Sequence, residues 1–308
     1  MRQPFDNALE EEQATPEWVT RPERSNALAI HFIAWVALKM GRSAARLLLY
    51  PVCLYFMLFS ANARKASKKY LHKALGYQPG FRDLYRHFHA FASTILDRVF
   101  LFNNQFDLFD VRVHGQEVMD DMIARKQGCF LIGAHMGSFE IVRSLGRESI
   151  EPSVSMVMYE ENAKKLNSVL NAINPNLVMQ VIALGKIDSM LKVEDALERG
   201  GFVGMLADRT IEGEGTVPCD FFGEQANLST GPFRIAMMLK QPIVLMFGLY
   251  RGGNQYDIYF ERFTDLAQVE RSQRNLVLEQ SLKQYIERLE HYCRLFPYNW
   301  FNFYDFWK

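Results

Sequence analysis

Three short runs, CFLIGA (129–134), FVGMLA (202–207) and PIVLMFGLY (242–250), carry no charged residue and almost no polar one. A strand with one face in water alternates polar and apolar residues. A run apolar at every position is a strand covered on both faces, the pattern of a parallel sheet between helices. Segments with helical spacing separate these runs. Leu84, Phe88, Phe91, Ile95 and Val99 recur three, four or seven apart and predict a helix over 81–103. Further helices are expected over 117–126, 162–173, 189–199, 230–239 (opened by Gly231-Pro232) and 273–294. Strands are expected over 109–115, 153–159, 177–182 and 255–260, the last pairing with 242–250. This alternation gives an α/β class with a mainly parallel sheet flanked by helices.

The bulk properties remove several function classes. With 35 basic and 35 acidic residues in 308, the formal charge is zero, which argues against nucleic-acid binding driven by net charge. The four cysteines, Cys53, Cys129, Cys219 and Cys293, have neither CxxC nor metal-ligand spacing and read as buried, reduced thiols. Residues 1–25 are polar and charged, so they read as a disordered leader rather than a secretory signal, and Trp18 has no obvious partner there.

Two apolar stretches follow the leader. Residues 27–38 are interrupted only by His31, and residues 47–60 carry no charge. Each is shorter than the roughly 20 residues of a full membrane span. Residues 64–73 then supply five cations and no acid, which suits anionic headgroups on a cytoplasmic face. The reading preferred here is a membrane-associated helical hairpin over 26–75, spanning or lying flat, with Pro51 as a kink. The alternative is a pair of buried core helices joined by a solvated basic linker. Residues 76–308 form the remaining domain.

The chemistry concentrates at the exit of the first buried strand. His135 lies where ligands bind in an open α/β sheet, beyond the strand's carboxyl end. Glu140 follows five residues later. With Gly137 allowing a bend and Ser138 capping a following helix, the Glu140 carboxylate could orient the imidazole and make His135 a general base. On pattern alone an equal reading makes Glu140 a helix N-terminal charge and His135 a turn residue. Asp208 and Arg209 end the second buried strand. Arg209 fits either an anion contact or an ion pair with Asp208 or Glu212. His87 and His89, on an amphipathic helix, are given no chemical role. Cys219, beside Phe221 and Phe222, favours packing over nucleophilic work. The tail 296–308 holds eight aromatics in thirteen residues, and it must pack on the domain or meet a lipid surface.

HMGSFE (135–140) resembles the HX4(D/E) motif of the bacterial lysophospholipid acyltransferase superfamily. The blocks GCFLIGAHMGSFE, LERGGFVGMLADR and VPCDFFGEQANLSTGPFRIAMMLKQPIVLMF, with the apolar N-terminus and aromatic tail, resemble its lipid A biosynthesis branch over roughly residues 30–305. The resemblance implies transfer of an acyl chain from acyl carrier protein, or acyl-CoA, to a hydroxyl of a lipid or glycolipid at the inner membrane, catalytic domain on the cytoplasmic side. The sequence holds no metal-ligand cluster and no phosphate-cradling glycine loop, so no cofactor and no metal are expected. The resemblance also implies His135 as base with Glu140 as partner. Gly137, Ser138, Asn162, Asp208, Arg209 and Gly223 are the residues expected to contact substrate. The oxyanion of the tetrahedral intermediate would be met by backbone N–H groups near Gly137 or by Arg209. Two places depart from the pattern. The segment 159–163 keeps Asn162 but lacks the usual Arg and Pro, and the usual Asp-Gln-Asp element is Ala207-Asp208-Arg209. These departures resemble homologues of the aryl polyene and related pigment-lipid pathways. A lysophospholipid acceptor and a non-catalytic membrane-tethered lipid-binding protein are the remaining alternatives.

Overall fold

The computed structural model describes residues 27–147, 154–160, 173, 181–185, 188–210, 215–264, 266 and 269–307. The leader with Trp18, Asn162, nearly all of the helix expected over 162–173, and Glu212 lie outside the described residues. Among the described residues, seven strands form one sheet in the order β1-β9-β8-β2-β5-β3-β4. They are β1 (Asp110–His114), β2 (Cys129–Gly133), β3 (Val154–Tyr159), β4 (Val181–Leu184), β5 (Phe202–Leu206), β8 (Ile243–Gly252) and β9 (Gln255–Arg262). All neighbours are parallel except β8 and β9, which form an antiparallel hairpin. The α/β class expected from the sequence is therefore the fold. The fourth strand is described over Val181–Leu184, and residues 177–180 of the run expected to form it lie outside the described residues.

The uninterrupted strands behave as their composition requires. Every residue of β2 is buried. Phe130 and Ile132 enter one core, while Cys129 and Leu131 enter the other. The first core is closed by α6 (Gly231–Leu239) and α7 (Arg274–Leu295), which contribute Phe233, Leu282, Tyr285 and Leu289. The second is closed by α3 (Phe81–Phe102) and α4 (Gln116–Ala124), through Leu96, Val99, Phe100, Met119 and Met122. Each such side chain contributes roughly 1.5–3 kcal/mol by leaving water.

Two elements differ from expectation. Residues 216–229 form a separate hairpin, β6 (Thr216–Phe221) and β7 (Glu224–Ser229), joined at Phe222 and Gly223. Both turn residues have positive φ, 57° and 77°, which matches the twist of a two-residue hairpin turn and favours glycine at the second position. At the N-terminus, α1 (Ala27–Phe59) breaks at Gly41 (φ 83°, ψ 168°) and not at Pro51. Residues 42–46, between the two apolar stretches, are helical and join them in one kinked helix.

Beyond Gly41, α1 packs on α3 through a four-residue stripe, Ala45, Leu49, Cys53 and Met57, all buried. Arg42 fixes the start of this stretch, pairing with both oxygens of fully buried Asp97 at 2.8 and 2.9 Å. Tyr256 of β9 also donates to that carboxylate. The following helix α2 (Ala61–Leu75) adds Tyr70, Leu71 and Ala74 to the same core as the sheet.

Candidate active site

The register of two central strands builds the site. β2 and β5 are parallel neighbours with Gly133 opposite Leu206. Ala207 N–H donates to the Gly133 carbonyl, so the pairing continues past the strand ends. Two residues beyond each end stand His135 and Asp208. The Asp208 Oδ1 atom accepts from the His135 backbone N–H at 2.9 Å and lies 2.8 Å from the imidazole Nδ1. Its Oδ2 accepts from the Trp300 indole at 2.9 Å. The Asp208 side chain is almost wholly buried, whereas that of His135 is 34% exposed.

Charge sets the protonation of this pair. Burial alone would raise the Asp208 carboxyl, but His135, Arg209 and the Trp300 donor outweigh it and hold it below the usual carboxylate range. The carboxylate is then an acceptor only, so the proton between the two groups belongs to Nδ1. Burial, followed by the positive charge of Arg209 and to a lesser degree Arg98, lowers the His135 pKa below its ordinary value, against the pull of Asp208. The imidazole is therefore neutral at neutral pH, with its lone pair on Nε2. An acidic residue at Nδ1 and a free lone pair at Nε2 is the arrangement of a general base in acyl transfer.

The loop after His135 is fixed by close backbone crossings. Gly137 has φ 61°, and a Cβ there would collide with the Gly248 carbonyl oxygen. Its N–H donates to the Asn299 carbonyl at 2.9 Å, and the Ser138 N–H donates to the Gly248 carbonyl at 2.7 Å. The bend expected at Gly137 is thus present. It leads into a 3-10 turn (Phe139–Arg147) rather than an α-helix.

Residues 19–308 match the family model of the bacterial lipid A biosynthesis acyltransferases. The chain belongs to this family. No curated relative matches it. Members of the lipid A biosynthesis acyltransferase family move acyl groups, so the chain is an acyltransferase with a lipid acceptor.

The carboxylate on the acyltransferase's imidazole is Asp208, where the sequence pointed to Glu140. Glu140 instead accepts from the Ser138 hydroxyl at 3.0 Å and pairs with Arg98 at 3.1 Å. The cause is the sharp turn at Gly137, which carries the chain onto the Arg98 side while β5 delivers Asp208 beside Nδ1. Ser138 is fully buried, with both its N–H and O–H donated inside the protein. The Gly137 N–H is likewise donated, to the Asn299 carbonyl. Gly223 sits at the tip of the β6–β7 hairpin and donates its N–H to the Asp220 carboxylate. Arg209 is half-buried, 3.4 Å from the Phe301 carbonyl and 5.8 Å from the Tyr304 ring. Asn162 lies outside the described residues. No sequence signal pointed to Arg98, and Trp300 was marked only by its place in the aromatic tail. That tail packs on the domain: Trp300, Phe301 and Phe306 are buried. All four cysteines are free and buried. Burial raises the Cys219 thiol, consistent with a packing role. Among the described residues, no group of three or more His, Cys, Asp or Glu side chains could hold a metal ion.

Proposed function

We propose that the chain transfers a fatty acyl group from an acyl carrier protein thioester to a hydroxyl of a lipid or glycolipid, with His135 as general base and Asp208 as its partner. The observation that carries this reading is the 2.8 Å contact between Asp208 and His135 Nδ1 at the carboxyl ends of β2 and β5. In the reaction, Nε2 takes the acceptor's hydroxyl proton as the oxygen attacks the thioester carbonyl. Asp208 balances the imidazolium that forms. The tetrahedral intermediate collapses with cleavage of the C–S bond, and the imidazolium returns its proton to the leaving thiolate. With the 137–138 amides already donated, the Arg209 guanidinium is favoured for the oxyanion. The carrier-protein donor follows from the family resemblance. The departures at 159–163 and 207–209 favour a pigment-lipid acceptor over the lipid A precursor.

The same reading places the enzyme on the cytoplasmic face of the inner membrane. The stretch Trp35–Phe59 is long and apolar enough to cross a bilayer, and most of its side chains are not buried. Opposite its packed stripe, Leu47, Leu48, Tyr55, Leu58 and Phe59 are exposed, 70% in the case of Leu47. Lys65 and Lys68 are exposed just beyond. The Arg42–Asp97 pair and the packed stripe hold this stretch along the domain, which supports a helix lying in the interface rather than spanning it. The test is lipid mass spectrometry of membranes from cells with the protein, without it, and with His135→Ala. A new acylated lipid made only by the wild type is expected, and its mass identifies the acceptor. The same product from His135→Ala would overturn the proposal.

A further inference from the structure

The acyl-transfer pair is held from outside the two strands that carry it. Trp300, fully buried, reaches Asp208 Oδ2 from the C-terminal tail. The tail is itself stitched to the His135 loop on both sides of that indole. Gly137 N–H donates to Asn299 O, and Phe301 N–H donates to His135 O at 2.8 Å. The Trp300 carbonyl lies 2.8 Å from Nε2 of buried His87. A carbonyl only accepts, so His87 carries its proton on Nε2 and takes the Ser67 hydroxyl's hydrogen on Nδ1, also at 2.8 Å. Burial keeps this histidine neutral by pulling its pKa down to about 4. Tyr70, Phe221 and Phe306 pack edge-on against the indole at centroid distances of 4.9, 5.2 and 5.0 Å. The ring has no freedom to leave Asp208.

We propose that Trp300 is a positioning residue for the transfer: its N–H holds Oδ2 of Asp208 so that Oδ1 stays on His135 Nδ1. A buried carboxylate with one oxygen unmet is no longer held in its plane by two donors, so Oδ1 still meets Nδ1 but the angle of that contact is no longer fixed. The same N–H disperses the carboxylate's charge and so tempers how strongly Asp208 favours imidazolium. The inference rests on reading His135 and Asp208 as the transfer pair. The other charged or titratable groups whose fields reach the two are Arg209 beyond β5, Arg98 on α3, Tyr285 and Cys293 on α7, and Tyr304 in the tail.

The experiment is steady-state acyl transfer by the purified full chain in vesicles, comparing wild type, Trp300→Phe, Trp307→Phe and His135→Ala across pH. Trp300→Phe keeps an aromatic ring and removes the N–H. It should lower kcat by roughly tenfold to a hundredfold, the usual effect of removing such an orienting partner. The KM for the donor should barely move, and the acid limb of kcat/KM should shift to higher pH. Trp307→Phe loses an indole that donates to the Phe221 carbonyl and should keep the wild-type limb. Unchanged kcat in Trp300→Phe, or a fall with the limb unmoved or moved lower, overturns the inference. Activity in His135→Ala instead overturns the transfer reading itself. If Trp300→Phe does not fold, indole 15N NMR of the otherwise intact chain decides. The Trp300 resonance must move in Asp208→Asn while that of Trp307 stays; an unmoved Trp300 signal refutes the contact.

Discussion

Asp208→Asn separates the carboxylate that the fold brings to His135 from Glu140, the carboxylate five residues along the chain. Asp208 accepts three hydrogen bonds: two on Oδ1 from His135 and one on Oδ2 from Trp300. An asparagine offers one acceptor oxygen and an NH2 group. With the oxygen toward His135, the NH2 confronts the Trp300 N–H. With the oxygen toward Trp300, it confronts both His135 donors and drives the imidazole to the tautomer with its proton on Nε2, which cannot act as a base. Either way a buried donor is left unmet, at a cost of about 1–3 kcal/mol in stability. Losing a general base or its correct tautomer lowers kcat by roughly 10²–10⁴. Removing the negative charge also moves the acid limb of any residual activity to lower pH. The assay is acyl transfer from acyl carrier protein into acceptor-bearing vesicles, with circular dichroism confirming the fold. Glu140→Gln, which keeps an acceptor for Ser138 and weakens only the Arg98 pair, should retain activity within about tenfold. If Glu140→Gln is the inactive variant and Asp208→Asn the active one, the assignment of partners is refuted.

Three other outcomes follow from the same geometry. Because the His135 pKa is lowered by burial and Arg209, wild-type kcat/KM should be flat near neutral pH and fall only as pH drops through a value below 6.5; a limb at or above that value contradicts the neutral base. Gly137→Ala introduces a left-handed alanine and a collision with the Gly248 carbonyl, so chemical denaturation should show a loss of at least roughly 2 kcal/mol, and a neutral result would place the loop elsewhere. Leu47→Glu, Leu54→Glu and Leu58→Glu together replace exposed leucines on α1 and should move the folded protein from the membrane fraction to the soluble fraction; unchanged sedimentation with membranes refutes the lipid-facing surface.

What could be read from the sequence divides along the range of the interactions. The central strands were legible because burial on both faces leaves no polar residue in β2 or most of β8, and the helices because their apolar positions repeat at 3.6. The hairpin at 216–229 was not. Pro218, Asp220 and Asn227 disfavour strand, and it forms because Phe221, Ala226 and Leu228 reach the core. His135 was legible as a residue at a strand exit. Its partner was not, because a carboxylate five residues away is visible in sequence, whereas the pairing of β2 with β5 that brings up Asp208 from 73 residues away is a tertiary fact. Trp300 was legible only as one aromatic in a tail that had to pack somewhere. The helix break fell at Gly41, where positive φ needs no side chain, while Pro51 sits on the exposed side of a continuing helix.

The central claim is that the His135 imidazole takes the acceptor's proton with Asp208 behind it. Single-turnover acyl transfer by purified wild type and His135→Asn tests it most directly, since asparagine can keep a polar contact at Asp208 but supplies no base. A rate at least 10² lower for a folded His135→Asn protein, with donor binding retained, is the predicted result. A rate within a few-fold of wild type would contradict it.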